Sequence, residues 1–183
     1  MTVKKNWLKK FVAALIMTLV TCLLAPIHVE LSFTPVPMSF GTLAVCISAA
    51  VLGWKFGLIS IILYLLLGIC GLPVFAGGVG GAAVLTGPTG GYLLGYLLCT
   101  LLTGWMIGRD RFKFYIYPVA MLFGTLLCYA AGVLGLSINM EISISRAIRL
   151  GFSPFLIFEA IKLIAATLIG YFTSTRLRFF FRK

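Results

Sequence analysis

Residues 56–108 read FGLISIILYLLLGICGLPVFAGGVGGAAVLTGPTGGYLLGYLLCTLLTGWMIG, 53 residues without one charged side chain. A membrane-crossing helix needs about 20 apolar residues. The run is therefore too long for one span, and Gly71, Pro73 and the Gly-rich stretch from Gly77 to Gly91 break it in the middle. It must hold two helices and their connection. The same spacing extends outward. Lys10 to Glu30 encloses 19 uncharged residues, Glu30 to Lys55 encloses 24, and Lys113 to Glu141 encloses 27, one span each. A last apolar stretch from Phe152 to Tyr171 is interrupted only by Glu159 and Lys162. The pattern predicts an all-α integral membrane protein. A single domain over 1–183 forms a compact bundle of six transmembrane helices at about 8–26, 40–54, 56–71, 88–107, 113–137 and 152–174.

Composition points the same way. Of 183 residues, 61% are hydrophobic and 10% charged, and the mean hydropathy is +1.12, whereas a soluble domain keeps roughly a quarter of its residues charged. The formal charge of +11 does not indicate nucleic acid, because the basic residues form short clusters between apolar runs rather than one wet face. They act as topology signals. Lys4, Lys5, Lys9, Lys10, Lys55, Arg109, Arg111, Lys113, Arg176, Arg178, Arg182 and Lys183 fall on one side of six spans, against Arg146 and Arg149 on the other. By the positive-inside rule both termini are cytoplasmic, in a multi-pass protein of the plasma membrane. Trp7, Trp54 and Trp105 fall at the same predicted inner ends, where indole rings favour the headgroup layer. The basic residues ahead of the first apolar run also suit a signal peptide, but no A-x-A-like site follows, so the first helix is expected to stay.

The five cysteines, Cys22, Cys46, Cys70, Cys99 and Cys128, lie far apart without a C-x-x-C and read as small apolar fillers. No metal or cofactor is expected, and the absence of G-x-x-x-x-G-K-[ST] argues against nucleotide binding. His28, the only histidine, sits beside Glu30 as a solvated loop residue.

Charge inside a membrane costs about 2.5–3.5 kcal/mol per group and marks a functional site by default. Glu159 and Lys162 qualify. At i, i+3 they share a helical face, as a structural ion pair or as a neutral couple completed by a ligand, near the outer end of the last helix. A second candidate is the external connection Gly71–Tyr92. Its Gly77, Gly78, Val79, Gly80 and Gly81 could converge backbone N–H groups into an anion-binding nest, or simply form a tight hairpin. Phe33, Pro35, Pro37 and Phe40 precede the second helix as an apolar wall or lid, or as a Pro-rich helix entry. Ala13, Ala14, Met17, Thr18 and Thr21 give the first helix a stripe of mostly small residues, which lets helices approach closely in lipid. The stripe docks another subunit or another helix of the same chain.

PVPMSFGTLAV over 35–45, GLPVFAGGVGG over 71–81 and LTGPTGGYL over 85–93 together resemble the BioY family, the biotin-binding S component of energy-coupling-factor vitamin transporters. The resemblance implies a six-helix bundle that captures biotin from outside. Its implied partners are a transmembrane coupling subunit and two ATPase subunits, and no catalytic residue is implied. At the family's Pro-Gly-Asp-x-x-Lys motif on the last helix this sequence has Ile157 and Phe158 in place of Pro-Gly and Glu159, one methylene longer, in place of Asp, and keeps Lys162 in register. Val79 stands where some members carry Asn, and Gly41 where many carry Gln. The family's A-x-x-x-A docking pattern on helix one is met only in part, by Ala13 with Met17 and Ala14 with Thr18.

For such a ligand, Glu159 accepts from the ureido N–H groups and Lys162 donates to the ureido oxygen. Phe33, Phe40, Phe75 and Tyr92 supply apolar walls, and the carboxylate lies against Gly77–Gly81. The reversed pose, with Lys162 on the carboxylate, stays open. So do an S component for another small carboxylated vitamin, an intramembrane enzyme using Glu159, and a purely structural bundle.

Overall fold

A computed structural model describes residues 2–176, with side chains from Trp7 onward. Lys4 and Lys5 therefore contribute backbone only, and Arg178, Arg182 and Lys183 lie outside the described residues. The helices are α1 (Thr2–Leu24), α2 (Gly41–Ile69), α3 (Gly90–Arg109), α4 (Ile116–Asn139), α5 (Ile144–Gly151) and α6 (Leu156–Arg176). Short 3-10 turns cover Ala82–Thr86 and Ser153–Phe155. Two two-residue strands, β1 (His28–Val29) and β2 (Met38–Ser39), pair antiparallel in the α1–α2 connection. Among the described residues, five stretches are long and apolar enough to cross a membrane: Trp7–Leu24, Gly41–Ile69, Gly90–Arg109, Ile116–Asn139 and Ile144–Arg176.

The spans expected over 40–54 and 56–71 meet the two helical segments of the 29-residue α2, which are divided at Gly53. Its φ of 72° and ψ of −179° lie in a region essentially reserved for glycine. The chain reverses there. A straight helix of this length would be about 43 Å long, yet Thr42 near its start and Phe75 just beyond its end line one cavity. A β-carbon on Gly57 would lie 3.5 Å from the Cα of Ala49, so the two halves are neighbours. Gly104 of α3 leaves room for the backbone of Gly53 and Trp54 at the bend. Two helical segments are therefore joined through one glycine, without an intervening loop.

Small residues draw the bundle together, as expected where lipid gives no hydrophobic drive between helices. Gly91 of α3 faces Gly135 of α4 at backbone contact, and a side chain on either would strike the other. The inner faces bury Tyr64, Tyr117, Ile61, Ile107 and Met121, while Val12, Leu15, Leu19, Leu122, Phe123, Ile161 and Ile164 remain exposed on the outside. That inversion suits a lipid solvent. Cys46, Cys99 and Cys128 fill the core, but Cys70 is exposed at the end of α2, and all five thiols are free.

Trp7, Trp54 and Trp105 lie at one end of the bundle. Lys55 stacks 5.1 Å from the Trp54 ring and the Arg109 guanidinium 4.0 Å from the Trp105 ring. In the α3–α4 connection Asp110 pairs with Lys113 at 2.8 Å, and that hydrogen bond holds the Asp110 carboxyl below the usual carboxylate range. The opposite end carries the β-hairpin, the Gly-rich connection and the first turns of α6.

Candidate functional site

Glu159 and Lys162 occupy successive turns at the start of α6 and are 6% and 8% exposed. They form an ion pair of 2.5 Å through Glu159 Oε2. Lys162 Nζ also donates to Thr42 Oγ1 at 2.8 Å and to the Ser39 carbonyl at 3.0 Å. Three acceptors thus meet the three hydrogens of the ammonium. Tyr129 of α4 donates its hydroxyl to Glu159 Oε2 at 3.0 Å. A buried charge is tolerable only when paired and hydrogen-bonded, and here that requirement ties α6 to the entry of α2 and the middle of α4.

The entry of α2 is built for this. Ser39 donates to the Ala25 carbonyl and accepts from the Gly41 N–H, both at 2.8 Å, which leaves its own carbonyl turned toward Lys162. The pairing of His28 with Ser39 and of Val29 with Met38 fixes the hairpin, and its alternation buries Val36 and Met38.

Lys162, Thr42 and Ser39 form the polar part of a cavity with an open mouth. Its remaining walls are mostly apolar and aromatic, from Val36, Met38, Phe75, Tyr92, Leu93 and Tyr96, with Tyr129 and Phe155 closing one side. Tyr92 is anchored by its hydroxyl to the Gly151 carbonyl at 2.7 Å and stands edge-on to Tyr129 at 5.7 Å. Phe75 lies edge-on to Tyr64 at 5.6 Å. These contacts set the ring orientations ahead of any guest.

The structure separates residues that spacing alone groups together. Lys162 faces this cavity, but Glu159 lines a different, apolar slot of about 550 Å³ between α4 and α6, and Tyr129 borders both spaces. Gly77 and Val79 line an outer cleft of about 830 Å³ with Ser32 and Thr34. Pro37 and Ala76 belong to both this cleft and the inner cavity. The expected nest is only partly available. Gly78 N–H donates to the Phe75 carbonyl and Gly81 N–H to the Gly68 carbonyl, while Gly80 is held where a side chain would meet the Leu72 carbonyl.

Phe75 and Tyr92 line the inner cavity and are 1% and 8% exposed. Phe33 and Phe40 do not. They are 63% and 39% exposed and absent from the lining, because the hairpin turns Val36 and Met38 inward instead. Ala14, Met17 and Thr18 are buried, with the Thr18 hydroxyl donating to the Ser60 carbonyl at 3.0 Å, and Ala13 is half-buried. In this conformation the stripe packs on α2 of the same chain rather than on an outer surface. His28 rests against the Pro26 carbonyl at 2.8 Å and Glu30 at 3.3 Å. Among the described residues no group of His, Cys, Asp and Glu is placed to hold a metal ion.

Sequence reasoning missed Ser39, Thr42, Tyr96 and Tyr129. Tyr92 and Tyr96 stand one turn apart on α3, which is a usable signal. Tyr129 is a hydroxyl in the middle of an apolar span, where lipid offers it no partner.

A model of the BioY family matches residues 1–179. The chain is 41% identical over 142 residues to the biotin transporter BioY of Thermotoga maritima, covering 78% of this chain and 83% of the relative. It is 38% identical over 151 residues to biotin transporter BioY2 of Lactococcus lactis, covering 82% of each. Among solved structures it is similar to the S-component for biotin from an ECF-type ABC transporter, with a TM-score of 0.85, 27% identity and coverage of 95% of this chain and 93% of the other. The match to the family model over nearly the whole length, joined to relatives of this similarity and coverage, identifies the chain as a multi-pass membrane protein that belongs to the BioY family.

Proposed function

We propose that the chain is the membrane-embedded substrate-binding subunit that captures biotin for ATP-driven import through an energy-coupling-factor module. It is a transport subunit and not an enzyme. The observation that carries this reading is the cavity itself: a cationic, fully bonded Lys162 set in a chamber of aromatic and aliphatic walls, at the outer end of a bundle from this family.

The chamber suits a flat, mostly apolar ring system with one polar edge. A ureido oxygen accepts from Lys162 Nζ in place of Thr42 or the Ser39 carbonyl, and a ureido N–H donates to the Ser39 carbonyl so released. Phe75, Tyr92 and Tyr96 cover the ring faces. Lys162 is already neutralised by Glu159, so a carboxylate at its side would leave a net negative charge in a low-dielectric site, which is costly. This favours the ureido ring inside and the carboxylate outward, past Pro37 and Ala76 toward Gly77 and Val79. Glu159 then acts from behind, holding Lys162 and Tyr129 in place.

The finer topology belongs to the same proposal. The two arms of α2 around Gly53 count as separate crossings, giving six, with both termini on the cytoplasmic side of the plasma membrane. A transmembrane coupling subunit and two ATPases complete the transporter. Calorimetric titration of the purified chain in detergent with biotin, nicotinate and pantothenate tests the ligand. Saturable, one-to-one binding of biotin alone is expected. Tight binding of either other vitamin with no heat from biotin would replace biotin as the substrate.

A further inference from the structure

The outer cleft continues the inner cavity beyond Pro37 and Ala76, which border both spaces. With the ureido ring at Lys162, the carboxyl end of the vitamin emerges there, between the α1–α2 connection and the Gly-rich connection. No Lys, Arg or His is among the residues lining the cleft. Arg146 and Arg149, the basic residues of α5, are not part of its lining. A site that reads a carboxylate sets a charged or bidentate donor against it. The lining of this cleft supplies no such group.

The donors that it does offer are neutral. The N–H groups of Gly77 and Val79 have no acceptor among the described residues, and Gly77, with φ of 88°, has open space where a side chain would lie. Such N–H groups bond a carboxylate oxygen or an amide carbonyl alike. The Thr34 hydroxyl is engaged within the protein, donating to the Leu150 carbonyl at 2.7 Å and accepting from the Val36 N–H at 3.2 Å. Glu30 also lines the cleft. Its side chain is exposed, with Oε1 3.3 Å from His28 Nε2. A carboxylate in that position repels a negative chain end and draws a positive one.

We propose that the outer cleft is a tail subsite for amides of the vitamin. It accepts biotin whose carboxyl is joined to the amine of a longer chain, as in a biotinylated lysine side chain, and Glu30 favours a chain that ends in an ammonium. The inference rests on the biotin reading above and adds a substrate class to it. Amidation removes a charge that no cation of the cleft pairs with, and it leaves the contacts of the ureido ring with Lys162 and the aromatic walls intact.

The test is calorimetric titration of the purified full chain in detergent, at low ionic strength, with biotin and two of its amides. These are the amides of diaminopentane and of aminohexanoic acid, which end five-methylene chains in an ammonium and a carboxylate. Wild type binds the ammonium-ended amide within about tenfold of biotin, and the carboxylate-ended amide about threefold to fivefold more weakly still. Glu30→Gln abolishes the difference between the two amides. Ser32→Trp, whose indole narrows the cleft, weakens both amides relative to biotin by about tenfold, with the melting temperature in detergent as the folding control for both variants. Tight biotin binding with the ammonium-ended amide more than about tenfold weaker overturns the tail subsite and leaves the biotin reading standing. Equal binding of the two amides by wild type, or a difference that survives Glu30→Gln, overturns the part given to Glu30. A folded Ser32→Trp that binds both amides as wild type does overturns the assignment of the tail to this cleft. Absence of biotin binding by wild type overturns instead the reading on which the inference rests.

Discussion

Tyr129 donates its hydroxyl to Oε2 of Glu159 at 3.0 Å, the same oxygen that Lys162 meets. The carboxylate therefore orders two groups on the cavity wall without standing on that wall itself. Removing the hydroxyl deletes one hydrogen bond to a charged group, worth about 1.5–3 kcal/mol. Tyr129→Phe is expected to bind biotin at least about tenfold more weakly while remaining folded, as measured by titration calorimetry and the melting temperature in detergent.

Breaking the ion pair from either side has unequal consequences. Glu159→Gln leaves a buried ammonium without its counter-charge, a loss of about 3–5 kcal/mol by the behaviour of other buried pairs. Lys162→Met leaves a buried carboxylate and removes the polar edge of the cavity. Both single variants are expected to lose stability and biotin binding. The double variant Glu159→Gln, Lys162→Met recovers much of the stability but none of the binding. Thermal unfolding of all four proteins, beside their biotin titrations, checks this. A double variant that binds biotin normally would exclude the pair from the site.

The cavity walls are set by glycines as much as by rings. A β-carbon on Gly132 of α4 would fall on the ring of Tyr92, which is tethered to the Gly151 carbonyl at its other end. Gly132→Ala is expected to cost about 1–3 kcal/mol through overpacking and to weaken biotin binding, because the ring must move. The control is Gly108→Ala, which meets nothing within 4 Å and leaves biotin binding unchanged in the same titration.

At Gly53 the penalty is in the backbone. Its φ of 72° with extended ψ costs a side-chain-bearing residue about 1–3 kcal/mol, and a β-carbon there also meets Arg111. Gly53→Ala is expected to lower the melting temperature in detergent without altering the ligand walls, so biotin affinity in the folded fraction stays near wild type. A variant as stable as wild type would show that the bend does not depend on glycine.

Much of this architecture is legible in the sequence because lipid enforces simple rules. Charge gaps mark the apolar stretches, and the i, i+3 spacing by itself puts Glu159 and Lys162 on one helical face. The acceptors of Lys162 are another matter. Ser39 and Thr42 lie about 120 residues away in the chain, and a serine and a threonine at a helix entry read locally as capping residues. Tyr129 reads as one more aromatic in an apolar helix until α6 packs against it. Phe33 and Phe40 misled for the converse reason. Their apolar character suits a wall, but the register of a two-residue hairpin decides which side chains turn inward, and pattern alone does not set that register.

Pro37 and Ala76 are shared by the inner cavity and the outer cleft, and they come from two connections that the chain separates by an entire helical hairpin. A guest long enough to reach from Lys162 to Gly77 would rivet one connection to the other. Arrival of cargo would then be announced at the surface as a loss of loop freedom, a message that any neighbouring subunit resting on those loops can read without ever touching the cargo.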